Sequence, residues 1–251
     1  MKALFTAGVH SDMGAWNRYA EILTSSEFQF GLIGGDLTDD SLTIQTIQEL
    51  SQVPDDDLLE ELYDPEDTIE DLNRRVIEYK TDPTTPLAKA ARAMEMQIKT
   101  LLTRVQKPVF LIPGNHDRSE WEDTELIVNV HARRVEFDSV NIVGYRYTSL
   151  DRSAEDEATD MRGLAKLVDH RTILMTHTPG YGVLDRNYRG ISIGSKAIRR
   201  LARWHRPLFH LSGHVHDSFG VRRHTANGAY TTKRSFIAVD TDARKLCVIT
   251  P

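Results

Sequence analysis

Five short apolar segments of this chain each lead directly into a turn that carries a histidine, an aspartate or an asparagine. The segments are residues 3–7, 30–33, 109–112, 172–176 and 207–211. Short apolar runs that end at glycine or proline are typical of buried β-strands. Polar side chains that follow such strands lie at the carboxyl edge of an α/β sheet, where these folds bind their ligands. The pattern therefore predicts an α/β fold with a polar site at a sheet edge.

The five turns together supply a set of side chains with nitrogen and oxygen donors. The set comprises His10, Asp36, Asn115, His116, Asp117, His177, His214 and His216. Mixed imidazole, carboxylate and amide donors suit Mn, Fe, Co or Zn better than Mg alone. Each residue alone would be an ordinary turn or core residue, but the chain has only 10 histidines and half of them follow apolar strands in these turns. The combination predicts a metal site.

The remaining histidines fit none of these motifs and are interpreted as structural. They are His131, His170, His205, His210 and His224. Because His210 lies within an apolar strand segment, we expect it to be a core residue.

The order of the motifs resembles the signature of the calcineurin-like metallophosphoesterases. Four of the five family motifs match outright, namely Gly35-Asp36, Gly114-Asn115-His116-Asp117, His177 and Gly213-His214-Val215-His216. The resemblance covers nearly the whole chain and implies a four-layer α/β/β/α sandwich. We interpret residues 1–251 as a single domain of this type.

The resemblance also implies a dinuclear centre of two divalent metal ions that share Asp36. It places His10 and His216 on the first ion, and Asn115, His177 and His214 on the second. Such a pair of ions polarises a phosphoryl oxygen and binds a hydroxide nucleophile.

The first motif departs from the family pattern. Gly8-Val9-His10 stands where the family has Asp-x-His, so one carboxylate ligand is missing. The first ion should therefore be bound more weakly than the second. Asp12, two residues beyond His10, is an alternative source of the carboxylate. We expect that replacing Gly8 by aspartate would tighten the site, provided that the side chain fits.

The same resemblance assigns roles in catalysis and substrate binding. His116 would lie near the phosphate together with Asn115 and would steady the developing charge or protonate the leaving oxygen. Asp117 would hold the His116 ring in position. Arg186 and Arg189, in the loop that follows the His177 turn, are the expected ligands of the substrate phosphate.

These residues predict a metal-dependent phosphoesterase that hydrolyses phosphodiester or related bonds of a small, nucleotide-like substrate. One alternative is a non-catalytic or weakly active phosphate- or nucleotide-binding homologue, because a metal ligand is missing. A second is a nuclease, which residues 186–206 favour with seven Lys or Arg and no acid.

Composition narrows the choice of partner and compartment. The net charge of −6 and the pI near 5.9 argue against a protein that coats nucleic acid. No apolar run reaches the length of a membrane helix, so we expect no membrane partner. Residues 1–6 lead directly into a strand, and the single Cys247 allows no internal disulfide. We therefore expect a cytoplasmic protein.

Residues 41–105 are interpreted as a helical insertion between the second and third strands. Residues 55–71 carry ten acidic residues and no Lys or Arg, with apolar residues at helical spacing within and after them. The most regular helix is predicted over residues 87–105. The insertion is either a cap or homo-oligomer interface beside the site, or a solvated acidic face that covers the sheet.

The C-terminal part predicts a second sheet. We expect this sheet to be more antiparallel than the first, with strands at residues 135–137, 141–143, 218–221, 229–231, 235–239 and 246–249. A helix is expected after Gly194, with Ser195 as its N-cap.

Overall fold

A computed structural model describes residues 1–38, 82, 84, 86–117, 121–148, 151–229 and 235–250. Most of the predicted insertion at 41–105 lies outside these residues, so its interpretation remains a prediction. The same holds for residues 230–231 of one expected strand.

The described residues form twelve strands and four α-helices. The strands are β1 (Lys2–Thr6), β2 (Phe30–Gly34), β3 (Val109–Ile112), β4 (Ile127–Asn129), β5 (Arg134–Phe137), β6 (Val140–Tyr145), β7 (Thr172–Thr176), β8 (Phe209–Ser212), β9 (Gly220–Arg222), β10 (Thr225–Asn227), β11 (Phe236–Asp240) and β12 (Lys245–Ile249). The helices are α1 (Met13–Thr24), α2 (Pro86–Arg104), α3 (Ala154–Ala165) and α4 (Lys196–His205). The predicted α/β class is confirmed.

Two helices lie where the sequence predicts them. Helix α2 begins and ends one residue before the helix expected over residues 87–105. Helix α4 begins after Ser195, whose hydroxyl accepts hydrogen bonds from the N–H groups of Ala197 and Ile198. This is the N-cap arrangement that satisfies otherwise unpaired amides in the first turn.

The strands form two six-stranded mixed sheets. The first has the order β12-β11-β1-β2-β3-β4, and the second has the order β5-β6-β7-β8-β10-β9. Each sheet contains three parallel and two antiparallel pairs. The expectation that the second sheet is more antiparallel than the first is therefore wrong.

The expected composition of the second sheet is also wrong in part. The strands β5, β6 and β9 lie in it, but β11 and β12 belong to the first sheet, because β11 pairs antiparallel with β1. The physical reason is that β11 is apolar on both faces. Phe236 packs into one core, whereas Ile237 and Val239 pack into another. A strand that is buried on both faces suits the interior of a sheet.

Three hydrophobic cores account for the packing of these elements. One joins α1 and α2 to the first sheet, a second joins the inner faces of the two sheets, and a third joins α3 and α4 to the second sheet. Membership of the cores is consistent with a four-layer α/β/β/α order. None of the helices in the described residues has both the length and the apolar character needed to cross a bilayer.

His210 is confirmed as a core residue. Its ring lies within 2.8 Å of the Thr176 hydroxyl, which itself donates to the carbonyl of Thr178. The hydroxyl oxygen must therefore accept from Nε2–H of His210. Burial lowers the pKa of His210 to about 4, and nearby Arg199 adds to this effect.

The buried environment of His210 predicts that the free energy of unfolding falls at acidic pH, and that His210 causes part of this fall. The unfolded chain would bind a proton at this ring near pH 6.5, whereas the folded chain resists it down to about pH 4. Stability should therefore fall as the pH drops from 6.5 towards 4, and His210 should contribute up to about 3 kcal/mol of that loss. Urea unfolding across this range should show a shallower pH dependence for His210→Gln. Exposed His170→Gln is the control, and an equal effect of both changes would contradict the prediction.

Candidate metal centre

The carboxyl edges of β1, β2 and β3 in the first sheet meet those of β7 and β8 in the second. Backbone hydrogen bonds join the turns that follow these strands. Within the first sheet the N–H of Gly8 donates to the carbonyl of Gly35 over 2.8 Å, and within the second the N–H of Gly213 donates to the carbonyl of His177 over 2.9 Å. Between the two sheets, Nδ1 of His177 lies 2.9 Å from the carbonyl oxygen of Gly34. The site is therefore built between two sheet edges, and the predicted donors from all five turns come together there.

Several residues of these turns have left-handed backbone conformations. The φ angles are 49° at His10, 53° at Asp36 and 66° at His214, in addition to positive values at Gly8 and Gly35. Non-glycine residues adopt this region rarely, and such strain clusters at functional sites when the surrounding structure holds it in place. Here the His10 N–H donates to the Asp36 carbonyl over 3.0 Å, so two of these residues brace one another.

One donor group surrounds the ring of His177, which is completely buried. Its Nε2 lies 3.2 Å from Oδ2 of Asp36 and 2.9 Å from Oδ1 of Asn115. Nδ1 of the same ring lies 2.9 Å from the Gly34 carbonyl, which can only accept. Nδ1 therefore carries a proton, and in the neutral ring Nε2 presents a lone pair. Three lone-pair atoms that face one another in a buried space fit a cation.

His214 completes this group. Its Nδ1 lies 3.1 Å from Oδ1 of Asn115. The donor atoms of Asp36, His177 and His214 all lie within 4.8 Å of one another. These contacts bring together the four side chains that the resemblance places on the second ion.

A second donor group shares Asp36 with the first. The donor atoms of His10, Asp36 and His116 lie within 4.8 Å of one another. Nε2 of His10 also lies 3.0 Å from Nε2 of His216, about the separation of two nitrogen ligands that each lie about 2.1 Å from one ion. The residues present thus fit two neighbouring ions, with Asp36 between them.

The electrostatics of the site favour an ionised aspartate. Burial would raise the pKa of Asp36, but the adjacent His177, His116 and His10 outweigh burial and hold the pKa below its usual range. Burial would lower the pKa of His177, but Asp36 outweighs it and raises that pKa. A proton on His177 can thus take the place of a cation, and metal binding would release it.

His214 differs from His177 in its protonation. Burial lowers the pKa of His214 to about 4, and His177 adds to this effect. The ring is therefore neutral at physiological pH and offers a lone pair to a metal.

Asp117 connects two of the turns. Its carboxylate accepts from the N–H groups of Leu37, Thr38 and Gly114 over 2.8 to 3.0 Å and from the Thr38 hydroxyl over 3.0 Å. These bonds hold the Asp36 turn against the Asn115 turn. The interpretation that Asp117 orients the His116 ring remains a prediction, because these hydrogen bonds of its carboxylate go to the two turns.

His116 contacts Asp36 through the backbone. Its N–H donates to Oδ1 of Asp36 over 3.1 Å, which leaves Oδ2 of that carboxylate towards His177 and His10. This backbone contact could not be foreseen from the sequence, because the spacing of a motif says nothing about which amide meets which carboxylate.

The two arginines expected to bind substrate lie in an exposed loop. Arg186 and Arg189 are both exposed. The backbone of Arg186 exchanges two hydrogen bonds with the hydroxyl of Ser218, two residues beyond His216. The loop of the two arginines is thereby attached to the turn that carries His214 and His216. Their role in binding phosphate remains a prediction.

Two supporting residues were not recognised from the sequence. Thr38 binds Asp117 and the His116 carbonyl, and Arg146 donates to the carbonyls of Gly114 and Asp117. Thr38 immediately follows the Gly-Asp turn, and Arg146 follows the predicted strand at 141–143. In the sequence, only their position next to a motif or a predicted strand pointed to them. Other polar loop residues have similar positions, so these two did not stand out.

Comparison with known proteins agrees with this geometry. The profile of the calcineurin-like phosphoesterases matches residues 1–218. The chain belongs to the calcineurin-like phosphoesterase family. This is a family of phosphoric ester hydrolases that depend on metals, so the chain is assigned to the hydrolases.

Solved structures share the fold at low sequence identity. The protein TT1561 of Thermus thermophilus is 14% identical, with a TM-score of 0.58 over 99% of this chain and 98% of that one. A dimetal phosphatase from Danio rerio is 11% identical, with a TM-score of 0.56 over 95% of this chain and 91% of that one. No protein with a curated description matches significantly.

Gly8 marks the departure from the family motif, and its surroundings explain why glycine fits there. Its φ angle is 59°, and a Cβ atom at this position would lie 2.9 Å from Cε1 of His216 and 3.6 Å from Cα of Ala229. The imidazole of His216 thus occupies the space that a side chain would need. The condition for a favourable Gly8→Asp change, that the side chain fits, is not met.

Asp12, the alternative source of the missing carboxylate, caps a helix. Its Oδ1 accepts from the N–H of Ala15 over 2.9 Å and caps helix α1. This bond satisfies an amide of the first helical turn. It gives the Asp12 carboxylate a local structural function.

We predict that Gly8→Asp and Gly8→Ala both destabilise the protein. A left-handed non-glycine residue costs about 1–2 kcal/mol, and the new Cβ would also displace His216. Thermal unfolding should report the loss in both variants, and calorimetric metal titration should report no tighter site in Gly8→Asp. The alanine variant is the control for the backbone strain and the Cβ contact without the added carboxylate. A stable Gly8→Asp protein with a tighter metal site would contradict the prediction.

Proposed function

We propose that this chain hydrolyses a phosphodiester or related phosphate ester of a small, nucleotide-like substrate at a dinuclear metal centre. The observation that supports this most directly is that two donor groups share the Asp36 carboxylate. Two ions about 3.5 to 4 Å apart, the spacing of known two-metal hydrolases, would polarise the phosphoryl oxygen and supply a hydroxide for in-line attack.

The residues of the two donor groups would each have a distinct role in this centre. Asp36, held ionised by its histidine neighbours, would lie between the ions. On the first side it would be joined by His10 and His216, and on the second side by Asn115, His177 and His214. The donor chemistry favours Mn, Fe, Co or Zn over Mg. The Gly34 carbonyl would fix the tautomer of His177, as outer partners of metal-binding histidines do.

His116 and Asn115 would contact the substrate phosphate. His116 lies with His10 and Asp36 in the second donor group, and from there its ring would donate a proton to the leaving oxygen. Asp117 would act on this step by holding the Asn115 turn in position through Gly114. Arg186 and Arg189 would bind the remaining charge of the substrate from the rim.

Two rival functions remain as outcomes of the tests. A non-catalytic phosphate- or nucleotide-binding homologue is favoured by the missing carboxylate at Gly8. A nuclease is favoured by the basic segment 186–206, and it would bind polymers in a strongly salt-dependent way. Homo-oligomerisation through residues 41–105 and a cytoplasmic location belong to the proposal as well.

We predict that Asp36→Asn and His214→Ala lose hydrolysis of a chromogenic phosphodiester. Loss of outer partners already costs about 10- to 100-fold in metal affinity or activity, so loss of either ligand should lower kcat/KM by about 100-fold or more. Bound metal should fall in parallel when it is measured by elemental analysis. Exposed His224→Gln is the control and should keep both. Unchanged turnover in the two variants would overturn the proposed function, and metal binding without turnover in the unaltered protein would favour the non-catalytic rival.

We also predict that the two ions bind with different affinities. The second site has four protein ligands, whereas the first lacks the family aspartate and should fill only at higher metal concentration. Calorimetric titration of the metal-free protein should therefore resolve a tight and a weak ion, and hydrolysis should continue to rise beyond the first equivalent. Two equally tight ions would contradict the weakened first site and leave the dinuclear centre standing.

A further inference from the structure

A cavity of about 420 Å³ lies beside β6 and α3, away from the donor groups of the metal centre. Its lining comprises His131, Ala132, Tyr145, Tyr147, Arg152, residues of α3, and Leu167 just beyond that helix. None of the predicted metal or substrate residues contributes to it. Its volume lies within the range of small-molecule sites, which combine aromatic walls with a few placed polar groups.

Tyr147 is the centre of the aromatic wall. The His131 ring meets it edge-on at 5.1 Å between centroids, and the Tyr145 ring does so at 5.6 Å. The guanidinium carbon of Arg152 lies 4.0 Å from the Tyr147 centroid. This stacking orients Arg152 and holds its charge at the cavity.

Asp160 already accepts hydrogen bonds from two donors of the cavity wall. Oδ2 of Asp160 accepts from the Tyr145 hydroxyl over 3.1 Å and from Nε of Arg152 over 3.0 Å. Burial raises the pKa of Tyr145, so its hydroxyl stays protonated and continues to donate. Asp160 thus balances the charge of Arg152 while it fixes both neighbouring side chains.

His131 is held as a neutral donor. The backbone N–H of Arg146 lies 3.3 Å from its Nδ1, which must therefore accept. Burial lowers the pKa of His131 to about 4, and Arg146 adds to this effect. The ring proton is consequently on Nε2.

Donors therefore exceed acceptors at this cavity. In the described part of the chain, no protein acceptor is recorded for Nε2 of His131, for the hydroxyl of Tyr147 or for the two terminal nitrogens of Arg152. Arg146 does not line the cavity, but its guanidinium carbon lies 5.5 Å from the Tyr147 centroid, and Asp160 does not pair with its positive charge. A ligand that satisfies this set needs several acceptor oxygens and a negative charge, as a phosphoryl group has.

The rest of the lining is apolar. Leu164 and Leu167 lie with the tyrosine rings on the cavity wall. Such a wall suits a ring or other apolar group attached to the anion.

We propose that this cavity is a second ligand site, which binds a phosphoryl group that carries a ring, independently of the metal centre. The guanidinium of Arg146 also donates to the carbonyls of Gly114 and Asp117 over 3.2 and 3.3 Å. One residue therefore links the cavity to the turn that bears Asn115 and His116. The proposal concerns binding and does not depend on the proposed hydrolysis.

The test uses phenylphosphonate, whose phosphorus–carbon bond resists ester hydrolysis, and the metal-loaded full chain. Calorimetry should resolve one binding event at the metal centre and a second that Arg152→Gln weakens by at least about tenfold, a loss of about 1.4 kcal/mol. Arg162→Gln is the matched control. It also removes one positive charge, but Arg162 lies in α3 and does not line the cavity. Inorganic phosphate, which lacks the ring, should bind the second site more weakly than phenylphosphonate.

Tyr147→Leu provides an independent check. It removes the hydroxyl and the stacked ring but keeps the Arg152–Asp160 ion pair, so it should weaken the second event while circular dichroism remains unchanged. Hydrolysis of the chromogenic diester should persist in Arg152→Gln. A single event that Arg152→Gln weakens would still support the cavity site and would show that the metal centre does not bind this probe. The proposal would be overturned by equal binding in Arg152→Gln, Arg162→Gln and the unaltered chain.

Discussion

The buried carboxylate of Asp36 is the constraint on which the rest of the site depends. A carboxylate taken out of water is costly unless charges or hydrogen bonds compensate it. Here the compensation comes from the rings of His177 and His10 and from the amide of His116. These partners follow three different strands of two sheets, so the ionised aspartate requires that the sheet edges meet. Its left-handed backbone places the side chain among them, and Asp117 holds the neighbouring turn in register.

The glycine at position 8 differs from the family aspartate in the space that it leaves as well as in the charge that it lacks. The chain lacks a carboxylate at that position, and the His216 ring lies 2.9 Å from where a Cβ atom would be. The glycine and the position of this ring therefore depend on each other, and a single substitution cannot restore the family pattern without moving His216. Arg146, which follows strand β6 of the second sheet, connects two parts of the structure in a comparable way. Its backbone sets the tautomer of His131, while its guanidinium supports the carbonyls of the metal-site turn.

Much of the fold and most of the site could be predicted from local sequence. Asp36, His177 and His214 could be identified as candidate donors because each follows an apolar strand segment directly. The motif and its strand lie within about ten residues of each other. Helix α4 was predicted with its Ser195 cap for the same reason, since capping depends on amides two and three residues away. The family resemblance then added the pairing of donors with two ions, which no spacing could supply.

Strand partners and the second cavity were decided only by the tertiary structure. The sequence by itself determined which segments are apolar strands and which turns bear donors, because periodicity is a local property. It did not determine that β11 joins β1, a pairing of residues more than two hundred positions apart, such as Leu4 with Ala238. Nor could it bring His131, Tyr147 and Arg152 around one cavity, since each is unremarkable in its own segment. Those contacts depend on which faces remain apolar after the sheets have packed, and that is a property of the whole chain.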